Sequence, residues 1–262
     1  TSRDGTESSP SVSPDGSKIA FIGSIWTKNF YQDRKMYVMN IDGTNLKCIS
    51  NDLDQTPSGA FWGKNSSAVY FNVREFGQSN IYHADLKGRV KKITSGNHML
   101  TMNDLAGSNV VATWTDPSNP SDIVSFSIDK PNKINRLTNV NSDIFYNVEM
   151  GEVEEITYQS IDSENIQGWI VKPPNFDPNK KYPLVLRIHG GPHSMYHVGF
   201  NYNFQLHAAQ EQVVLYTNPR GSTGYGYDFA NAIQNNYPGN DYDDIMYGVD
   251  EVISRGYIDE DR

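Results

Sequence analysis

The chain has 262 residues, of which 37% are hydrophobic and 12% aromatic, and it carries 22 basic against 31 acidic side chains. No run approaches the roughly 18 consecutive apolar residues of a membrane span, and a single cysteine, Cys48, excludes an internal disulfide. The net charge of −9 falls in residues 151–262, with 7 basic and 16 acidic residues, whereas residues 1–150 balance at 15 and 15. That acidic part argues against a nucleic-acid partner, whose phosphates demand Lys and Arg.

Taken from the start, the chain is polar from Thr1 onward, and no signal peptide is expected within these residues. A soluble protein is expected, with cytoplasm and periplasm both open and an oligomer neither required nor excluded. Residues 1–140 then read as short antiparallel strands. Lys18-Ile19-Ala20-Phe21, Met36-Tyr37-Val38-Met39, Ala68-Val69-Tyr70-Phe71, Asn80-Ile81-Tyr82-His83-Ala84, Asn109-Val110-Val111-Ala112 and Asp122-Ile123-Val124-Ser125-Phe126 alternate and are rich in β-branched and aromatic residues. Turns such as Asp42-Gly43 and Lys87-Gly88 separate them. Ile49-Ser50, Ile93-Thr94 and Leu137-Thr138 end successive groups, 44 residues apart each time. A period in the forties with about four strands per unit is the signature of a propeller blade. A β-sandwich with coincidental spacing is the alternative. Cys48 falls in a strand-like run and reads as a strand residue rather than a reactive thiol.

After residue 150 the period changes. Glu155–Tyr158 and Gly168–Val171 form a strand pair, and Pro173-Pro174 and Asp177–Lys180 a loop. Leu184–His189 and Val213–Tyr216 are mostly apolar strands of the kind buried in a parallel sheet, with a helix between them around Phe204–Gln212. A helix is expected over Tyr227–Asn235. Another, over Asp241–Arg255, places Ile245, Val249, Val252 and Ile253 on one face. Its first turn holds Asp241, Asp243 and Asp244, where the helix dipole favours acids, and Gly256 caps its end. Strands alternating with helices predict a parallel α/β sheet.

Two glycine-rich strand exits carry the candidate chemistry. His189-Gly190-Gly191-Pro192 follows one strand, and its glycines leave backbone N–H groups unobstructed, able to stabilise an oxyanion. A plain strand-to-helix turn is the other reading of this segment. Asn218-Pro219-Arg220-Gly221-Ser222-Thr223-Gly224-Tyr225-Gly226 follows the next strand. It lacks the lysine of a phosphate loop. Ser222 has Arg220 where a nucleophile elbow has glycine, so it reads as structural, and Arg220 as an ion-pair partner rather than a substrate ligand. His189, His193 and His197 have a spacing of four, but Gly190-Gly191-Pro192 breaks any helix between the first two and no carboxylate completes a set, so no metal is expected. His83, His98 and His207 read as surface or core residues.

Ser13-Pro14-Asp15-Gly16-Ser17-Lys18-Ile19-Ala20-Phe21 resembles the repeat of TolB-like and peptidase propellers. The two glycine-rich segments, with Asp243-Asp244 and Tyr257-Ile258-Asp259, resemble the acylaminoacyl-peptidase and dipeptidyl-peptidase branch of the prolyl oligopeptidase family. That resemblance implies a partial β-propeller of about three blades over residues 1–148, followed by the first part of an α/β-hydrolase domain over 149–262. It implies a serine peptidase acting on short peptides through an acyl-enzyme, with no cofactor. Gly191 would be the oxyanion donor through its backbone N–H. The Ser, Asp and His of the triad would all lie beyond Arg262, the serine in a Gly-x-Ser-x-Gly elbow after a short strand, so that the 262 residues by themselves are inactive. An esterase or lipase, which also uses His-Gly-Gly loops, and a non-catalytic propeller that binds partners are the competing functions.

Overall fold

The computed structural model describes residues Thr1–Arg262. It divides into two compact units: Thr1–Val140 with His197–Gly199, and Asn141–Tyr196 with Phe200–Arg262.

The first unit contains three antiparallel runs of four strands in chain order. They are β1 (Gly5–Val12), β2 (Lys18–Ile25), β3 (Arg34–Asn40) and β4 (Lys47–Cys48); then β5 (Pro57–Trp62), β6 (Ala68–Glu75), β7 (Gln78–Asp85) and β8 (Val90–Lys92); then β9 (Met99–Ala106), β10 (Asn109–Thr115), β11 (Asp122–Ser127) and β12 (Asn135–Arg136). The expectation of separate four-stranded sheets needs one amendment. The second and third runs are joined through a parallel pairing of Ser79 with Met99, making one eight-stranded sheet. Polar groups seal the join: Ser79 Oγ and Asn72 Nδ2 both donate to the Leu100 carbonyl, at 2.8 and 2.7 Å.

The 44-residue spacing has a physical cause. The amides of Ile49, Ile93 and Leu137 each donate to a carbonyl on the third strand of their run, those of Met36, Ile81 and Ile123, at 2.8 Å every time. The next side chain returns the bond. The hydroxyls of Ser50, Thr94 and Thr138 accept from the amides of those same three residues at 2.8–2.9 Å. An apolar residue followed by Ser or Thr therefore closes each run in the same way.

Period-2 alternation divides the apolar residues of β6 and β7 between two cores. Val69, Phe71, Val73, Tyr82 and Ala84 pack with Ala20, Ile22, Met36 and Ile49. Tyr70 and Ile81 pack with Leu100, Met102, Val110, Ala112, Val124 and Phe126. Ile49 is buried, while its counterpart Leu137 is 59% exposed.

The second unit opens with the short α1 (Ser142–Phe145). Then follow β13 (Val153–Gln159), β14 (Asn165–Val171), β15 (Leu184–Arg187), α2 (Tyr202–Ala209), β16 (Val213–Asn218), α3 (Tyr227–Asn231) and α4 (Asn240–Ser254). The sheet order is β13-β14-β16-β15. Only β15 and β16 are parallel; β14 runs antiparallel to both of its neighbours. The parallel pairing expected of the strands at 184–189 and 213–217 is present, and the expected strand pair, β13 and β14, forms an antiparallel hairpin with no crossover helix between them, so the sheet is mixed.

Both faces of this sheet are covered. Ile166, Ile170, Val213 and Leu215 pack with Val249, Val252 and Ile253 of α4. On the opposite face Trp169 stacks on Tyr216 at 5.3 Å between centroids, and Phe204 of α2 meets Tyr216 at 4.6 Å. Burying side chains of this size stabilises by about 1.5–3 kcal/mol each. Helix α4 lies close against β13 at Gly248, where an added Cβ would stand 2.6 Å from the Tyr158 hydroxyl oxygen. It ends at Gly256, φ +85°, as its sequence position predicts. Val214 is fully buried, whereas Ile188 beyond the end of β15 is 60% exposed.

Candidate active site

Parallel strands β15 and β16 end side by side, so the two glycine-rich segments leave the sheet as neighbours, where α/β sheets place their sites. Strand β15 stops at Arg187. Ile188 and His189, read from sequence as strand, already belong to the loop, which frees His189 to turn toward the second segment.

Gly191 adopts φ +142°, where a side chain is strained, and an added Cβ would meet the His193 nitrogen at 2.9 Å. The residue is exposed, and its N–H makes no hydrogen bond among the described residues. Gly190 differs: its φ is ordinary and nothing lies within 4 Å of an added Cβ. Of the two glycines, only Gly191 is one by necessity.

The second segment is sealed. Arg220 forms a two-pronged pair with Asp244 of α4, Nη2 to Oδ1 at 2.7 Å and Nε to Oδ2 at 3.0 Å, and its own amide donates to Oδ2 at 2.8 Å. The Asp244 side chain is fully buried and that of Arg220 is 10% exposed. Arg220 is therefore the ion-pair partner that its sequence context suggested, and Asp244 serves this pair, whereas Asp241 accepts from the Gly239 amide at the helix start. Gly221, at φ +95°, packs against Ile233, whose Cδ1 would lie 2.7 Å from an added Cβ.

Ser222 and His189 come together, which their sequence positions did not indicate. His189 Nε2 lies 3.0 Å from Ser222 Oγ. A serine–histidine contact invites a nucleophilic reading, but Ser222 is fully buried and its hydroxyl donates to the Pro219 carbonyl at 2.6 Å. The hydroxyl proton is committed to that carbonyl, so His189 Nε2–H donates to the Ser222 oxygen. Burial holds the imidazole pKa below its usual value, favouring the neutral ring, whose Nε2–H tautomer makes this bond. The contact is an anchor for the His189 loop.

Four further bonds join the segments. His193 Nδ1–H donates to the Gly221 carbonyl at 2.9 Å, and the Thr223 amide donates to the Ser194 carbonyl at 2.8 Å. Asn218 grips the Tyr196 peptide at both ends, its Oδ1 accepting from the amide at 2.7 Å and its Nδ2 donating to the carbonyl at 2.9 Å. The loop that carries Gly191 is thus pinned on both sides of the glycine by a rigid neighbour.

The other singled-out residues lie elsewhere. His197 falls within the first unit. His83 and His98 lie on and beside strands of the first unit, with pKa values lowered by burial, and His207 of α2 bonds Gln212 Oε1 at 2.7 Å. Cys48 is half-buried on β4 and burial pushes its thiol pKa up, as befits a strand residue. Among the described residues no three His, Cys, Asp or Glu side chains gather as metal ligands. No helix is long and apolar enough to cross a membrane. Asn218 carried no assigned role in the sequence, and Asp244 only that of a first-turn acid. The available signal was that a polar side chain closing the buried strand Val213–Asn218 must find partners.

Comparison with known proteins places this geometry. A family described as the prolyl oligopeptidase family matches residues 198–262. A Bacillus subtilis protein described as an uncharacterized peptidase, YuxL, is 33% identical over 87% of this chain and 37% of its own length. A Porphyromonas gingivalis dipeptidyl-peptidase 5 is 27% identical over 98% of this chain and 38% of its own. The solved acylaminoacyl peptidase of Pyrococcus horikoshii superposes with a TM-score of 0.82 at 29% identity, over 95% of this chain and 38% of that one. The chain therefore spans less than two-fifths of the length of these relatives. The chain is similar to these relatives along nearly its whole length, in sequence and in fold, and its residues 198–262 match the prolyl oligopeptidase family.

Proposed function

We propose that the chain is part of a serine peptidase that hydrolyses short peptides through an acyl-enzyme, and that the Gly191 amide is one donor of its oxyanion hole. The observation that carries this reading is the exposed, unpaired N–H of Gly191 beyond the C-terminal end of β15, in a loop held by five bonds to its neighbour. When a nucleophile adds to a peptide carbonyl, the oxygen gains charge and moves. A donor about 2.7–3.1 Å from its new position stabilises the transition state more than the substrate. The names of the relatives, which include a dipeptidyl-peptidase and an acylaminoacyl peptidase, support amide bonds of short peptides as substrates.

On this reading the three four-stranded runs of residues 1–148 are propeller blades that restrict access, and residues 149–262 begin the α/β-hydrolase domain. None of the serines here lies in a Gly-x-Ser-x-Gly elbow, and the one with a histidine on its oxygen, Ser222, is sealed. The nucleophile and its base are therefore assigned to the longer protein, in the part of the relatives outside the matched length. The test is to treat the 262-residue chain and the full-length protein with a fluorophosphonate probe, then assay the latter on aminoacyl-anilides and short-chain esters. The expected result is labelling of the full-length protein alone, with anilides turned over preferentially. Stoichiometric labelling of the 262-residue chain, or a preference for esters, contradicts it.

A further inference from the structure

We propose that a four-residue hydrogen-bond chain, Asn218–Tyr225–Gln167–Glu155, sets the position of the Gly191 amide, making Asn218 and Tyr225 positioning residues for catalysis. The inference rests on the assignment of Gly191 made above.

The chain can be followed from its outer end. Glu155 is exposed on β13, and as a carboxylate it only accepts. Gln167 of β14 lies opposite and donates Nε2–H to Glu155 Oε1 at 2.6 Å. That fixes the amide orientation, leaving Gln167 Oε1 to face inward, where it accepts the Tyr225 hydroxyl proton. With its proton spent on Gln167, the Tyr225 oxygen accepts from Asn218 Nδ2 at 2.6 Å. The Asn218 amide is then oriented as well. Its Oδ1 must face the Tyr196 N–H, and its second Nδ2 proton the Tyr196 carbonyl. Each group leaves the next a single choice, so the orientation of a surface carboxylate is transmitted to the peptide of Tyr196.

Asn218 is fully buried and Gln167 is 8% exposed, where bonds of this kind are strong and a missing one is costly. Tyr196 closes the loop that begins at His189, and its ring packs edge-on against the His189 ring at 5.1 Å. Fixing the Tyr196 peptide fixes the C-terminal end of the segment containing Gly191, whose N-terminal end is held by His189 on Ser222. An oxyanion donor needs this precision, since a misplacement of about 1 Å can cost about a hundredfold in rate.

The test uses the full-length protein with Asn218→Ala, Tyr225→Phe and Glu155→Gln, each with kcat and KM measured separately and Tyr196 amide exchange followed. Tyr225→Phe retains the ring that packs on Phe229 at 5.0 Å and removes only the hydroxyl, so it separates the relay from folding. Asn218→Ala and Tyr225→Phe are expected to lower kcat about tenfold or more with KM within twofold, and to speed exchange at Tyr196. Glu155→Gln replaces an acceptor-only group by one that can also donate, so it is expected to lower kcat, though by less than Tyr225→Phe, and to speed Tyr196 exchange in part. Unchanged kcat or unchanged Tyr196 exchange in folded Tyr225→Phe overturns the proposal. A parallel Gly191→Val keeps the two ideas apart. If it leaves kcat intact, the assignment of Gly191 is wrong and the relay loses its catalytic role, whatever the Tyr196 amide does. If it abolishes kcat while Tyr225→Phe is normal, only the relay falls.

Discussion

The two glycine-rich segments leave adjacent parallel strands, yet they have opposite physical characters. The first, His189–Pro192, is open: Gly190 has empty space beside it and Gly191 is exposed with an unpaired amide. The second, Asn218–Gly226, is closed: Gly221 presses on Ile233, Ser222 has no exposed surface and Arg220 is bound to Asp244. The composition of the two is similar, and what separates them is where their polar groups are satisfied. One segment uses its hydrogen-bonding capacity internally and becomes a rigid support; the other is held by that support and keeps an amide in reserve for a ligand.

The largest effect expected from breaking this contrast comes from Asp244→Ala. It leaves the Arg220 guanidinium buried without its partner, at a cost of about 3–5 kcal/mol, seen as a large drop in the denaturation midpoint of the 262-residue chain. A loss under about 1 kcal/mol would mean that the pair does not support the second segment. Next comes the glycine pair. Gly221→Ala forces a Cβ into Ile233 at a positive φ and should cost about 1–3 kcal/mol, whereas Gly190→Ala, with open space and ordinary backbone, should stay within about 0.5 kcal/mol. Equal losses would erase the distinction between closed and open. Ser222→Ala comes third. It removes an anchor and should destabilise by about 1 kcal/mol while the full-length protein keeps most of its peptidase activity; complete loss of activity in a folded variant would make Ser222 a catalytic residue.

The smallest effect is a pH dependence. Burial lowers the folded-state pKa of His189 below its unfolded value near 6.5. Between those two values the unfolded chain binds more protons, so this contribution is complete above the unfolded pKa and is lost as pH falls through the folded one. His83, His98 and His197, also lowered by burial, act in the same direction. The midpoint of thermal unfolding should be lower at pH 5.5 than at pH 7.5, and His189→Gln should reduce that difference. A higher midpoint at pH 5.5 would show that the imidazoles are stabilised in their charged form.

Much of this arrangement was legible in the sequence where a local rule has a local cause. The apolar-then-hydroxyl pairs Ile49-Ser50, Ile93-Thr94 and Leu137-Thr138 announce the three runs because each pair makes both of its closing bonds within its own run. The face of α4 and its terminal Gly256 were legible for the same reason. Properties that depend on distant partners were not. The antiparallel placement of β14 against β16 is a choice of neighbour that strand patterns do not encode. The His189–Ser222 contact spans 33 residues, and the Asn218 grip on Tyr196 spans 22. Asp244 read as a first-turn acid because the helix dipole is visible in sequence, while its partner Arg220, 24 residues earlier, is not.

The central claim is that Gly191 offers its amide to the oxyanion, and the most direct measurement is kcat for Gly191→Val beside Gly190→Ala in the full-length protein. The account predicts a fall of about 10²–10³ in kcat for Gly191→Val, with KM little changed and Gly190→Ala near wild type. A near-normal kcat for folded Gly191→Val would contradict it.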